Sequence, residues 1–401
     1  MNEMPDYGAV KEANRLLNYE EARRGVTHLK SRPLFFWFDL YGPCNLKCVH
    51  CGFNKDGRTS DQEVSEHVYG EVIREIMPSA YRCNLGGTNW GEMTISKNFQ
   101  RFLRDCRQYG VRVNLTTNGT RMNDAWLGDL TDVLDVVGFS MEGMGEQFEK
   151  IRGFPWRRFV ENIEKLIQAR RDRGKTFRVE WRYCAHADSI HQLPEMIRTA
   201  KAMGIDRIQV MPLVPYVAHQ QFKNLAYHRS LANEYFAQGR AIARDLDFTI
   251  KIPSDYSTGD FVPLTLQTNG KSRTVAPPAP PDLEMVNCFR PWQTCAINEL
   301  GSVKPCCVYW RQMGTLEHGF EAVWNGRKYR QLRSSINTKP DSICHDCRMT
   351  AFGDSGRVAA ELKPSLKQVA RQYLDASLHP PRIQFEGVLD SDLDPRAPSI
   401  A

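Results

Sequence analysis

Between residues 33 and 250 the chain alternates two hydrophobic rhythms. Short apolar runs read as strands: "PLFFWFDL" (33–40), "AYRCNLGG" (80–87), "VRVNLTTNG" (111–119), "LDVVGFSMEG" (134–143), "TFRVEWRYC" (176–184) and "RIQVMPLV" (207–214). Each is followed by a helical period. "SEHVYGEVIREIMP" predicts a helix with Ser65 as its N-cap, and "NFQRFLRDCRQYG" one closed by Gly110. "DAWLGDLTDV" predicts a third. The clearest stripe is Phe159, Val160, Ile163, Leu166 and Ile167, on one face of a helix. Ser189 opens a helix carrying Ile190, Leu193, Met196, Ile197 and Ala200, and a long helix is expected over roughly 224–246.

Strand alternating with helix implies an α/β fold with a parallel sheet and right-handed crossovers. Six units are too few for a closed eight-stranded barrel. The expectation is a partial (β/α)6 TIM-like barrel over 33–250, with its chemistry at the C-terminal ends of the strands. Residues 1–32 look helical. Residues 251–287, rich in Pro, Ser, Thr and Gly, read as a linker or lid. A small cysteine-rich domain follows over 288–350. Residues 351–401 predict a helix kinked at Pro364 and then a Pro/Asp-rich mobile tail.

A net charge of +6 over 401 residues neither demands nor excludes an anionic partner. The basic runs "WRRF" and "ARRDRG" lie in helical periods and read as solvated faces; no nucleic-acid motif, membrane span or export signal stands out. Twelve cysteines without an export signal indicate a cytoplasmic, reducing setting and metal or catalytic thiols rather than disulfides. Cys83, Cys106 and Cys184 stand apart and read as small buried hydrophobes. The others form two groups.

The first is "CNLKCVHC", which puts Cys44, Cys48 and Cys51 directly after the first strand. Thiolates hold iron–sulfur clusters, and three ligands on a cubane leave one iron open. A partial zinc site is the alternative, but zinc prefers four ligands and C-x2-C pairs. The C-x3-C-x2-C loop resembles that of the radical S-adenosylmethionine (SAM) superfamily. The resemblance implies a [4Fe–4S] cluster whose fourth iron is chelated by SAM, with His50 as the family's aromatic-type residue before the last cysteine. It extends along the strand ends. "WGEMTISKNF" resembles the Gly-Gly-Glu-Pro segment that binds the SAM amino group, with Gly91 and Glu92 matching and Trp90 and Met93 departing from it. "TTNG" puts Thr117 and Asn118 where the family contacts ribose or methionine. "SMEG" makes Ser140 and Glu142 ribose candidates, and Arg152 of "KIRG" suits the SAM carboxylate. Val210 and Met211 stand where the sixth strand offers backbone to the adenine.

The second group is Cys288, Cys306, Cys344 and Cys347, with Gly301 completing a C-x12-G-x4-C array and "VWNG" between the pairs. It resembles the SPASM/twitch extension of the same superfamily. No cysteine follows Cys347, so the shorter twitch form with one auxiliary [4Fe–4S] cluster is expected. A four-thiolate zinc site is the alternative. Cys295 and Cys307 are spare thiols, read either as packing or as hydrogen-atom donors; Cys307 is also an alternative ligand to Cys306.

The resemblance implies an enzyme that reductively cleaves SAM to a 5′-deoxyadenosyl radical, fed by a one-electron reductant such as flavodoxin or ferredoxin. The leading expectation is hydrogen abstraction from a polar small molecule: a sugar, aminocyclitol, nucleoside or amino acid-like substrate. The auxiliary cluster would assist oxidation. The alternatives are a peptide-modifying maturase and a radical epimerase with a cysteine hydrogen donor.

Overall fold

A computed structural model describes residues 6–51, 62–86, 91–214, 218–256 and 288–345. Cys347, most of the expected lid and the 351–401 segment lie outside the described residues. The six expected strands are β1 (Phe35–Phe38), β2 (Arg82–Leu85), β3 (Arg112–Thr117), β4 (Leu134–Met141), β5 (Arg178–Ala185) and β6 (Arg207–Pro212). They pair in parallel in chain order. The helices are α1 (Tyr7–Arg23), α2 (Glu66–Glu75), α3 (Phe99–Tyr109), α4 (Asp124–Val133), α5 (Glu146–Arg152), α6 (Trp156–Asp172), α7 (Leu193–Met203) and α8 (Arg229–Asp245). Local chemistry sets several ends. Ser65 Oγ accepts from Val68 N at 3.2 Å, and Gly110 closes α3 at φ 64°, a left-handed position that suits glycine. Two readings shift. Ser189 makes no cap bond; its hydroxyl meets Tyr183 Oη at 2.8 Å, and a 3-10 turn (Ile190–Gln192) precedes α7. Two further 3-10 turns, Ala218–Lys223 and Leu225–Tyr227, delay the start of α8 to Arg229.

Four more strands extend the sheet: β7 (Thr249–Lys251), β8 (Thr294–Ile297), β9 (Ser302–Lys304) and β10 (Gly314–Thr315). The order is β10-β9-β8-β1-β2-β3-β4-β5-β6-β7. β8 lies parallel to β1, with Phe36 opposite Cys295, so the cysteine-rich domain continues the barrel sheet.

The two sheet faces differ. Cys83, Leu85, Val113, Leu115, Val179, Trp181, Tyr183 and Ile208 enter the apolar core. The alternate positions Asn84, Asn114, Thr116, Arg182, Cys184, Gln209 and Met211 are half-buried and form a polar inner face. Ion pairs line the N-terminal ends of these strands: Arg82–Asp135 at 2.8 Å, Arg178–Glu180 at 3.0 Å and Arg207–Glu180 at 2.7 Å. Gly138 leaves room for Arg182, whose Nε would lie 2.1 Å from an added Cβ; Arg182 reaches across it to Thr116 Oγ1.

Residues 24–34 are clamped between barrel and cysteine-rich domain. Asn18 Nδ2 donates to Ser31 Oγ (2.9 Å) and to the Trp292 carbonyl (2.6 Å). Asn325 of "VWNG" accepts from Leu29 N at 2.7 Å and donates to Leu29 O at 2.8 Å. Trp324 Nε1 donates to Ser31 O at 2.9 Å. Arg333, stacked on Trp324 (4.4 Å), donates to the carbonyls of Thr27, Pro291 and Trp324, and burial pushes its pKa down to about 10. Asn325→Ala therefore orphans both Leu29 backbone groups. It is expected to cost about 1–3 kcal/mol, read as a lower urea midpoint.

Candidate functional site

The loop after β1 carries the cysteine triplet and is held from three sides. Cys51 N donates to Cys48 O and Val49 N to Ile151 O, each at 3.1 Å. Asn45 Nδ2 donates to Thr120 Oγ1 at 2.9 Å. Gly91 presses against the loop's start: an added Cβ would lie 2.2 Å from Tyr41 O and 2.7 Å from Gly42 O. The close approach allowed by Gly91 is thus made by the chain itself. Gly91→Ala should cost about 1–3 kcal/mol through overpacking and displace the triplet. The expected readout is selective loss of iron from this site.

Glu92, 3% exposed, anchors the next layer. It accepts from Thr94 N (3.2 Å), Thr94 Oγ1 (2.7 Å), Thr117 Oγ1 (2.7 Å) and Asn118 N (2.6 Å). Asn118 accepts from Thr120 through Oδ1, and its Nδ2 donates to Asn45 Oδ1 at 2.9 Å and towards Cys44 Sγ at 3.5 Å. Glu92, Thr117 and Asn118 come together as expected, but their hydrogen bonds run to each other and to the cluster loop.

Arg152 and Glu142, which the resemblance assigns to separate SAM contacts, are bonded to one another. Arg152 Nε and Nη2 meet the two carboxylate oxygens at 2.6 and 2.7 Å, and both residues are buried. His50 Nε2 lies 3.1 Å from Glu142 Oε1. Burial pushes the Glu142 carboxyl up, but Arg152 and His50 outweigh it and hold it at about 2. Ser140 is half-buried at the end of β4. Val210 turns its side chain into the core while Met211 lies on the inner face. The β6–β7 ladder ends at Gln209↔Lys251, so Val210 and Met211 lie beyond it.

These residues fit an iron–sulfur cluster carrying SAM. Burial pushes the Cys48 thiol up to about 12 while the Arg152 charge pulls it down. Burial also raises Cys44, against N–H donation from Leu46 and Asn118. N–H donors on the Cys44 sulfur and the Arg152 charge felt by Cys48 suit thiolates bound to a metal cluster. His50 Nδ1 is buried with no hydrogen-bond partner, an open polar atom beside the triplet.

In the second group, Cys288 N donates to Asn337 Oδ1 (2.7 Å) and Cys344 N to Asp341 Oδ1 (3.0 Å). Cys288, Cys306 and Cys344 all pack on the one core. Cys307 is half-buried beside Cys306. Cys295 has the placement of its packing reading. It is 0% exposed, in register with Phe36 and in the apolar core, and burial raises its thiol. It faces the same side as Phe36, away from the polar inner face, as a packing thiol does.

Three inner-face residues were not singled out as site residues: Arg182, Cys184 and His186. Cys184 lies close enough to Glu142 and Arg152 to feel both charges. Continuing the strand's two-residue alternation to its C-terminal end would have found them.

A barrel-type sheet with a cysteine triplet after its first strand and a cysteine-rich extension defines a cluster-bearing enzyme class. The radical SAM superfamily model matches residues 40–179, and the SPASM iron–sulfur cluster-binding domain matches 288–348. The chain belongs to the radical SAM superfamily and carries a C-terminal SPASM domain. Its cofactors are SAM, the [4Fe–4S] cluster and an additional iron–sulfur cluster. A tungsten-containing aldehyde ferredoxin oxidoreductase cofactor-modifying protein of Pyrococcus furiosus is 24% identical over 205 residues, 49% of this chain and 56% of that protein. The PqqA peptide cyclase of Rhodopseudomonas palustris is 25% identical over 181 residues, 44% and 46% of the two chains. The chain thus spans about half the length of these curated relatives. SuiB of Streptococcus suis, solved with S-adenosylmethionine, shares the fold at TM-score 0.55 and 18% identity, covering 86% of this chain and 77% of its own. No helix among the described residues is long and apolar enough to cross a membrane.

Proposed function

We propose that this radical SAM enzyme modifies a peptide, taking a hydrogen atom from one of its residues. The observation that carries the reading is the similarity to the PqqA peptide cyclase over 181 residues. It moves the substrate from the free small molecule expected at first to the peptide held as its alternative. The polar inner face, with Asn84, Asn114, Thr116, Arg182 and Gln209 half-buried, supports recognition of amide and charged groups.

When bound and reduced, the cluster and SAM supply the 5′-deoxyadenosyl radical that abstracts the hydrogen. The chain's own part is placement. Glu92 fixes Thr117 and the Asn118 backbone. Asn118 ties that layer to Cys44 and Asn45. The Arg152–Glu142–His50 set holds compensated charge beside the triplet. Cys288, Cys306, Cys344 and Cys347 would hold the auxiliary cluster, which would accept an electron from the substrate. A flavodoxin or ferredoxin would supply the reducing electron.

The test is anaerobic turnover with deuterated peptides, including any short peptide encoded beside the gene, against a panel of sugars, aminocyclitols and nucleosides. Deuterium passing from a peptide into 5′-deoxyadenosine, with a product lighter by two hydrogens, is the expected result. Transfer only from a free small molecule overturns the peptide reading. Deuterium gained from heavy water at a stereocentre, lost in Cys307→Ala with iron retained, would make the enzyme an epimerase.

A further inference from the structure

Arg182 lies within β5 (Arg178–Ala185) rather than past its end, and the mechanism above gives it no particular task. It stands half-buried on the polar inner face, opposite Ser140 on β4 and Gln209 on β6. Its side chain crosses β4 at Gly138, where an added Cβ would lie 2.6 Å from Cζ, and Nη1 donates to Thr116 Oγ1 on β3. A side chain at 138 would block that path, so Gly138 decides where the charge lies.

The depth of the charge follows from β3. Thr116 stands two residues before Asn118, whose Nδ2 is 3.5 Å from Cys44 Sγ. Two strand residues span about 7 Å. The guanidinium therefore lies inside the barrel, one such step below the triplet loop.

This face carries more guanidinium groups than carboxylates. Arg82, Arg112, Arg178, Arg182 and Arg207 stand on β2 to β6 against Asp135 and Glu180, with Asp39 just past β1. Asp135 bonds Arg82 at 2.8 Å, and Glu180 is shared by Arg178 and Arg207 at 3.0 and 2.7 Å. Arg112 donates to the backbone carbonyls of Asp132 and Leu134. A recess lined by an excess of one charge draws the opposite one into it. Of the groups a peptide carries, a side-chain carboxylate fits a guanidinium fork best, through two parallel charge-assisted hydrogen bonds.

We propose that Arg182 is a specificity-determining residue that binds the side-chain carboxylate of an Asp or Glu in the peptide, seating that residue inside the barrel below the triplet. The inference rests on the peptide reading and names the substrate class within it.

The test selects random, C-terminally amidated short peptides on immobilised, iron-loaded enzyme holding SAM, under anaerobic conditions, and reads the retained sequences by mass spectrometry. Wild type, Arg182→Gln and Arg182→Lys are compared, with iron content and SAM affinity measured on each. At one peptide position the wild type should favour Asp or Glu over Asn or Gln roughly 10-fold or more. Arg182→Gln should remove that preference with iron and SAM affinity kept. Arg182→Lys, which keeps the charge without the fork, should retain part of it. Peptides retained without an acidic preference, or with the same preference in Arg182→Gln, overturn this proposal and leave the peptide reading standing. A preference lost together with iron or SAM would make the residue structural and overturn it as well. No peptide retained by the wild type sinks the peptide reading, and this proposal with it.

Discussion

Replacing Cys44, Cys48 and Cys51 together with alanine is expected to abolish SAM cleavage and remove half of the iron. Two cubane clusters correspond to ~8 Fe per chain, and losing one leaves ~4. The effect is total because no other described thiol can take over. Cys83 and Cys106 are 0% exposed in the core. Cys184, on the inner face, is one thiol where three corners need ligands. The second group should keep its iron, since Cys288, Cys306 and Cys344 lie in the domain that contains β8 and β9. The measurement is iron and sulfide content after anaerobic reconstitution, with 5′-deoxyadenosine release under a strong chemical reductant. Stoichiometric zinc in place of the remaining iron would instead make the second group a four-thiolate zinc site.

Arg152→Met should be the most destabilising substitution outside the cysteines. It strips both hydrogen bonds from a carboxylate that is 2% exposed. Breaking a buried pair by removing one partner costs about 3–5 kcal/mol. The pH dependence gives a second signature. In the wild type Glu142 is held at about 2 against an ordinary 4.5. Its contribution is therefore fully present above 4.5 and is lost as pH falls through about 2. Without Arg152, burial dominates and the carboxyl shifts upward, so acidification should stabilise the variant where it weakens the wild type. The urea midpoint of ligand-free protein, followed from neutral to acid pH, reads both effects. Glu142→Gln combined with Arg152→Met should recover much of the loss, because no charge is then left buried. An unchanged midpoint in the single variant would show that the pair carries no net stability.

Much of this architecture is legible in the chain because it is local. The strand and helix periods of 33–250 need only neighbouring residues. The bounds of α4 follow from "DAWLGDLTDV", and those of α2 and α3 from Ser65 and Gly110. The cysteine triplet is local too: a short loop at fixed spacing carries its chemistry without knowledge of the rest. Glu92, Thr117 and Asn118 were found one by one at strand ends, and a parallel sheet brings such ends to one face.

What tertiary structure decided lies between distant segments. The strand that carries Cys295 gives no sign in its own residues that it will pair with Phe35–Phe38, and that register alone turns the thiol into the core. Arg152 matches a carboxylate by chemistry, but only the fold shows that the carboxylate is Glu142. His186 sits in an unremarkable "AHADS", and only the fold shows that its ring is buried with neither nitrogen hydrogen-bonded. Spacing and capping are read along the chain, whereas burial and pairing are set by which strands become neighbours, a long-range outcome that no short pattern contains.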